Sequence, residues 1–98
     1  MKLLNETQRS TIPPLRPNEH AKDPMIHAKF FDPCGSWTWY VVEFDGEDLF
    51  FGVVDGFERG WGYFSLAELE SVRNRYGLGI ERDVYFEPCR VSELPARR

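Results

Sequence analysis

No apolar run in this 98-residue chain approaches the ~18 residues of a membrane-spanning helix. The most coherent one, Trp37 to Val42, has the length of a strand and contains Thr38. The opening Met1-Lys2-Leu3-Leu4-Asn5-Glu6 reaches charge before the apolar core of a signal peptide develops. The expected location is therefore cytoplasmic, with no membrane partner, in a compartment that keeps thiols reduced. Cysteine is scarce as well, with only Cys34 and Cys89. The chain exceeds the ~70–80 residues below which small domains usually need staples, so folding requires neither disulfide nor metal. A Cys34–Cys89 bridge would form only if strands brought the two together. His20 and His27 are the only histidines, and with the cysteines they show none of the paired spacings of structural zinc. No cofactor is expected.

Catalytic signatures are missing too. Cys34 with His27 or His20 is the one possible nucleophile–base pair, and no base stands beside the thiol in sequence. Gly52, Gly56, Gly60 and Gly62 are not followed by Lys-Ser or Lys-Thr, so they read as turn and bulge glycines rather than a phosphate cradle. Glu43, Asp45 and Asp55 read as capping or solvated acids of hairpins rather than a glycosidase pair. A non-enzyme is expected; an uncharacterised hydrolase or metal enzyme is the alternative of another class.

Positive charge is absent from the middle of the chain. Phe30 to Glu58 holds seven acids (Asp32, Glu43, Asp45, Glu47, Asp48, Asp55, Glu58) and neither Lys nor Arg, within a net charge of −4. Such a block does not bind phosphate backbone, which needs clustered bases. It is either a solvated rim that keeps the protein soluble or a surface that docks on a basic protein, such as one that normally holds nucleic acid.

Aromatics, by contrast, are plentiful at 15%, within 42% apolar residues, enough for one core. The expected fold is a single α+β domain: an N-terminal arm (1–24), a sheet-and-helix core (25–88) and a tail (89–98) that is expected to fray at Pro95-Ala96-Arg97-Arg98. The sheet is expected to be a largely antiparallel four- to five-stranded meander. Asn5 caps a short helix to about Ser10, ended by Ile12-Pro13-Pro14-Leu15-Arg16-Pro17. A polar loop over 18–23 follows. Strands are expected at Met25–Phe31, Ser36–Phe44, Leu49–Val54, Trp61–Phe64 and Val84–Glu87, with turns at Asp32-Pro33-Cys34-Gly35, Asp45-Gly46 and Asp55-Gly56. Ser65-Leu66-Ala67-Glu68 has the form of a capping box opening the main helix, about 66–76, with Leu66, Leu69, Val72 and Tyr76 on its buried stripe and Gly77 as its stop.

Alternation sends Trp37, Trp39 and Val41 to one face of the sheet and Tyr40, Val42 and Phe44 to the other, with Leu49, Phe51 and Val53 opposing Phe50 and Val54. Both faces are therefore apolar. A helix of about ten residues, roughly 15 Å long, cannot cover both faces of a sheet nearly 20 Å wide. The second face is covered either by the arm through Ile12, Leu15 and Met25, or by a partner or second copy of the chain.

The runs Phe30-Phe31-Asp32-Pro33, Trp37-Thr38-Trp39-Tyr40, Glu43-Phe44-Asp45, Leu49 to Glu58, Gly62 to Leu66, Glu68 to Arg73 and Ile80 to Phe86 together carry a resemblance. The chain resembles the bacterial family of unknown function numbered 2958, small proteins carried on plasmids, conjugative elements and phages. The resemblance spans Pro13 to Phe86 and brings no catalytic residues with it. Cys34 and Cys89 fall outside its pattern. It implies an accessory protein of a mobile element. The expected function is thus non-catalytic protein binding through Trp37, Trp39, Tyr40, Glu43, Asp45, Glu47, Asp48, Asp55, Glu58 and Trp61. The alternative is an anti-defence inhibitor (anti-CRISPR or anti-restriction) that blocks a nucleic-acid site by acidic mimicry.

Overall fold

A computed structural model describes residues 3–16 and 22–95. Helix α1 spans Glu6–Thr11, with the Asn5 side chain accepting from the Gln8 N–H and the Gln8 side chain reaching back to the Asn5 N–H. Seven strands follow: β1 Met25–Ile26, β2 Ala28–Phe31, β3 Thr38–Phe44, β4 Leu49–Asp55, β5 Arg59–Ser65, then, after helix α2 (Leu66–Ser71), β6 Glu81–Arg82 and β7 Cys89–Arg90. Five of them form an antiparallel sheet in the order β5-β4-β3-β2-β6, and β1 pairs separately with β7. The α+β class and the antiparallel meander are those the sequence implied. Most of the expected 18–23 loop, and residues 96–98 of the tail, lie outside the described residues.

The alternation of β3 fails at one place. The pairing with β4 runs Val41↔Gly52, then Glu43↔Phe51 and Phe44↔Phe50, so one residue is inserted at Val42. Such a bulge moves every later side chain to the opposite face. Phe44 therefore joins Trp39 and Val41 rather than Tyr40 and Val42. Gly52 opposite the bulge is required by space, since a Cβ there would lie 1.9 Å from the Tyr40 carbonyl oxygen.

Two apolar layers result. On the first face Ala28, Phe30, Val41, Phe44, Phe50 and Phe64 pack beneath Leu66 and Leu69 of α2, Ile80, and Leu3, Leu4 and Ile12 of the arm. The arm thus shares the first face with α2; α1 itself buries no residue and acts as a spacer between Leu4 and Ile12. On the second face Ile26, Tyr40, Val42 and Val53 are covered by Phe86, Cys89, Val91 and Leu94. The C-terminal segment, rather than the arm, is thus the cover of this face. It is held there because Met25–Phe31 is not one strand: the run breaks at His27, and β1 pairs with β7. The Val91 N–H donates to the Pro24 carbonyl, and Asp23 accepts from both the N–H and the hydroxyl of Ser92.

The main helix is shorter than its apolar spacing implied. It ends at Ser71, and Val72 is extended with ψ 134°. Beyond it the Asn74 carboxamide accepts from the N–H groups of Tyr76 and Leu78, while the Arg73 guanidinium donates to the carbonyls of Glu70 and Val72. A side chain that bonds its own downstream backbone competes with another helical turn, and here it wins. Val72 and Tyr76 are consequently exposed, and Gly77, at φ +77°, serves this turn rather than a helix end. The strand expected at Val84–Glu87 is displaced for a similar reason. Asp83 accepts from the Tyr85 N–H and makes a turn, so the pairing strands are Glu81–Arg82 before it and Cys89–Arg90 after it.

The start of α2 is built by a residue from another hairpin. Ser65 accepts from the Glu68 N–H, as its place in sequence implied, but its own hydroxyl donates to Asp48 at 2.6 Å. The other Asp48 carboxylate oxygen accepts from the Ala67 N–H at 2.7 Å, and the Asp48 carbonyl accepts from Leu66. Asp48→Ala removes that cap and is expected to cost about 1–2 kcal/mol, a thermal midpoint lower by roughly 5–10 °C in calorimetry. Ending the chain at Glu87 removes Cys89, Val91 and Leu94 from over Tyr40, Val42 and Val53, together with the β1–β7 pairing that holds the segment down. The shortened protein is expected to keep its β-sheet circular dichroism while binding a dye for exposed apolar surface that the full chain does not.

Candidate interaction surface

The residues singled out in the sequence separate into three groups. Tyr40 and Glu43 are buried on the second face, Glu43 with only 4% exposure and its carboxylate accepting from the Arg16 N–H. Asp45, Glu47 and Asp48 lie in the β3–β4 turn. Trp37, Trp39, Asp55, Glu58 and Trp61 gather at the opposite end of β4, around the β4–β5 turn.

The acid block is largely engaged in building the fold. The Asp32 carboxylate accepts from the Cys34 N–H. Asp45 accepts from the N–H groups of Glu47, Asp48 and Leu49, and those bonds hold its carboxyl below the usual range. Asp48 caps α2, and one oxygen of Asp55 receives both Nε and Nη2 of Arg59, at 3.1 and 3.0 Å. Among the described residues, Glu47 and Glu58 are the acids of the block whose side chains carry no hydrogen bond or ion pair. They sit at opposite ends of β4, a strand of seven residues, so roughly 20 Å of sheet separates them.

At the β4–β5 end the geometry is aromatic. Trp37 lies over Gly56 so closely that a Cβ there would be 2.4 Å from the indole. It stacks on Trp39 at 6.0 Å and meets Phe57 edge-on at 5.4 Å. Phe57 is 89% exposed at the tip of the turn. A shallow cleft of about 410 Å³ opens here, lined by Trp37, Val54, Phe57, Glu58, Arg59, Gly60 and Trp61. Phe57 was not among the residues singled out, although an aromatic directly after Asp55-Gly56, where polar residues are usual, was a visible signal. A second aromatic row, on the other face of β4 and β5, joins Phe51 to Trp61 in parallel stacking at 5.4 Å and to Tyr63 at 4.9 Å. Tyr63 was also passed over, though it alternates with Trp61.

A second cavity, about 280 Å³, lies between Pro13, Arg16, Asp23, Pro24, Met25, His27, Val42, Glu43 and Arg90. It gathers two carboxylates, an imidazole and two guanidinium side chains without a hydroxyl or thiol nucleophile in its lining. Among the described residues no three His, Cys, Asp or Glu side chains come together as a metal site; His20 lies outside them. Cys34 and Cys89 are free thiols, the first exposed, and burial pushes the Cys89 thiol up rather than activating it. No helix is long and apolar enough to cross a membrane among the described residues.

The fold and this surface define a small α+β sheet domain with a one-sided aromatic end. A family model described as a protein of unknown function (DUF2958) matches residues 2–94, and the chain belongs to that family. No curated protein and no solved structure gives a significant match.

Burial lowers the pKa of His27 from its usual 6.5. The unfolded chain then binds this proton more tightly than the folded one, so the stability tied to neutral His27 is complete above about pH 6.5 and is lost as pH falls through the folded value. Chemical-denaturation midpoints are expected to fall from pH 7 toward pH 5. The fall should be shallower in His27→Gln, leaving the later acid loss from Asp23 and Asp45 unchanged.

Proposed function

We propose that this chain is a non-catalytic protein-binding accessory protein of a mobile genetic element, acting in the cytoplasm, with its binding surface at the β4–β5 end. The observation that carries this reading is Phe57, an aromatic side chain 89% exposed, braced edge-on by Trp37 at the mouth of a cleft and followed by the unbonded acid Glu58. A solvated phenylalanine resting edge-on against a second ring gains nearly its full burial on binding, which is how interface anchors act. Glu58 beside it favours a partner that presents Arg or Lys, whose cation can stack on the rings while pairing with the carboxylate. The partner is accordingly read as a basic protein, such as a host or defence protein that holds nucleic acid. Inhibition of defence by acidic mimicry draws less support, because only two of the seven block acids are unbonded and they lie at opposite ends of the sheet.

Affinity capture from host lysate with the immobilised chain tests the reading. The intact protein is expected to retain a basic partner. The double variant Phe57→Ala, Glu58→Lys should retain at least tenfold less, with a thermal midpoint within ~2 °C of the original, since the Phe57 ring is exposed. Equal retention by both proteins, or retention of nothing, overturns it.

A further inference from the structure

The two edges of the five-stranded sheet are unlike each other. β6, at one edge, is two residues long, and the Arg82 side chain beside it is tied to the Leu3 carbonyl. β5, at the other, runs for seven residues and, among the described residues, pairs only with β4. Alternate N–H and C=O groups of an edge strand point outward, and proteins that stay single usually blunt such an edge with Lys, Pro, a bulge or a covering segment. Among the described residues β5 has none of these beyond its first residue, where the Arg59 guanidinium donates to the Pro95 carbonyl. Its register with β4 is unbroken from Arg59 to Ser65, and Gly60-Trp61-Gly62-Tyr63-Phe64 holds no charge. The polar residues at its two ends are both held within the chain, Arg59 by Asp55 and Ser65 by Asp48.

The order of residues along β5 is nearly symmetric about Gly62. A polar residue stands three positions away on each side, and an aromatic one position away on each side. An antiparallel strand with this pattern is complementary to itself. With a two-fold axis through Gly62, Trp61 of one copy stands opposite Tyr63 of the other, Gly60 opposite Phe64, and Arg59 opposite Ser65. Trp61 and Tyr63 are 49% and 53% exposed on the same face, both leaning on Phe51, so two copies would join their aromatic rows across the seam. On the opposite face the absent side chains at Gly60 and Gly62 leave the approach open: a Cβ at Gly60 would meet nothing within 4 Å, and one at Gly62 only Val54 Cγ2, at 3.7 Å.

We infer that β5 is the site of self-association, pairing antiparallel with β5 of a second copy about Gly62 to make one continuous ten-stranded sheet. The interface is isologous, so it closes at two copies. It is centred on the row of Trp61 and Tyr63, whereas the proposed partner surface is centred on Phe57 and Glu58, and the two can be disrupted separately.

Register-specific crosslinking tests this in the full chain carrying Cys34→Ser and Cys89→Ser. Opposed residues of an antiparallel pair have Cα atoms about 4.5–5.5 Å apart, within disulfide range, so Gly62→Cys is expected to crosslink nearly completely under mild oxidation. Gly60→Cys, which the structure accommodates equally well, should not, because its two copies would lie roughly 13 Å apart. Sedimentation from about 1 µM to about 1 mM should show twice the 11.5 kDa chain mass at the upper end. Trp61→Lys with Tyr63→Lys should hold the single-chain mass throughout while keeping the native circular dichroism. A single-chain mass at every concentration, crosslinking at Gly60 equal to that at Gly62, or a lysine variant that folds and still doubles its mass would each overturn the inference.

Discussion

The ring of Phe50 touches a phenylalanine from each of three other strands: Phe30 of β2 edge-on at 5.6 Å, Phe44 of β3 at 4.5 Å and Phe64 of β5 at 5.3 Å, the last two stacked. Each such pair adds about 0.5–1.5 kcal/mol to the burial of the rings themselves. The group exists only because the bulge at Val42 turns Phe44 to this face. Without it, Phe44 would join the Tyr40 face and leave a ring-sized gap beside Phe50. Leu3, Leu4, Ile12, Leu66, Leu69 and Ile80 then close over the rings, so the positions of the arm and α2 follow from this one packing choice.

The same sheet presents Tyr40, Val42 and Val53 on its other side, and a second cover is needed. The C-terminal segment supplies it, fastened by the β1–β7 pairing and by Asp23 on Ser92. Among the described residues, cover is complete at the centre and meets β5 only at its start, where the Arg59 guanidinium donates to the Pro95 carbonyl. Trp61 and Tyr63 on one face, and the cleft beside Trp37 and Phe57 at the end, are what the covering segments do not reach. Both proposed surfaces lie in that uncovered region, because an apolar sheet wider than its covers leaves aromatics in water.

The acid-rich middle of the chain has a structural explanation that composition alone does not suggest. Hairpin turns and a helix start expose N–H groups that carboxylates satisfy, and Asp32, Asp45 and Asp48 each do so. What stands in the sequence as one block of seven charges is in the structure five separately bonded carboxylates and two unbonded ones, Glu47 and Glu58, at opposite ends of the sheet. Glu58 is left beside an exposed ring, and that juxtaposition, rather than the number of acids, marks the surface.

Local chemistry alone determined the first helix, strands β3 and β4, the middle of β5 at Trp61–Phe64, the Asp-Gly turns and the antiparallel class, because Asn5, Ser65 and the alternating apolar residues act through near neighbours. The two-sided apolarity of the sheet, and the inability of one short helix to cover it, were equally plain from side-chain alternation. The family resemblance was also carried by the sequence. Only tertiary structure decided which segment covers which face, since Ile12 and Leu94 are equally apolar and nothing local distinguishes their destinations. It also decided the length of α2, where Asn74 bonding within its own loop outweighed a favourable apolar spacing. Asp48 reaching α2 from the preceding hairpin and the bulge that sends Phe44 to Phe50 depend on contacts between segments distant in sequence, and periodicity within one strand carries no record of them.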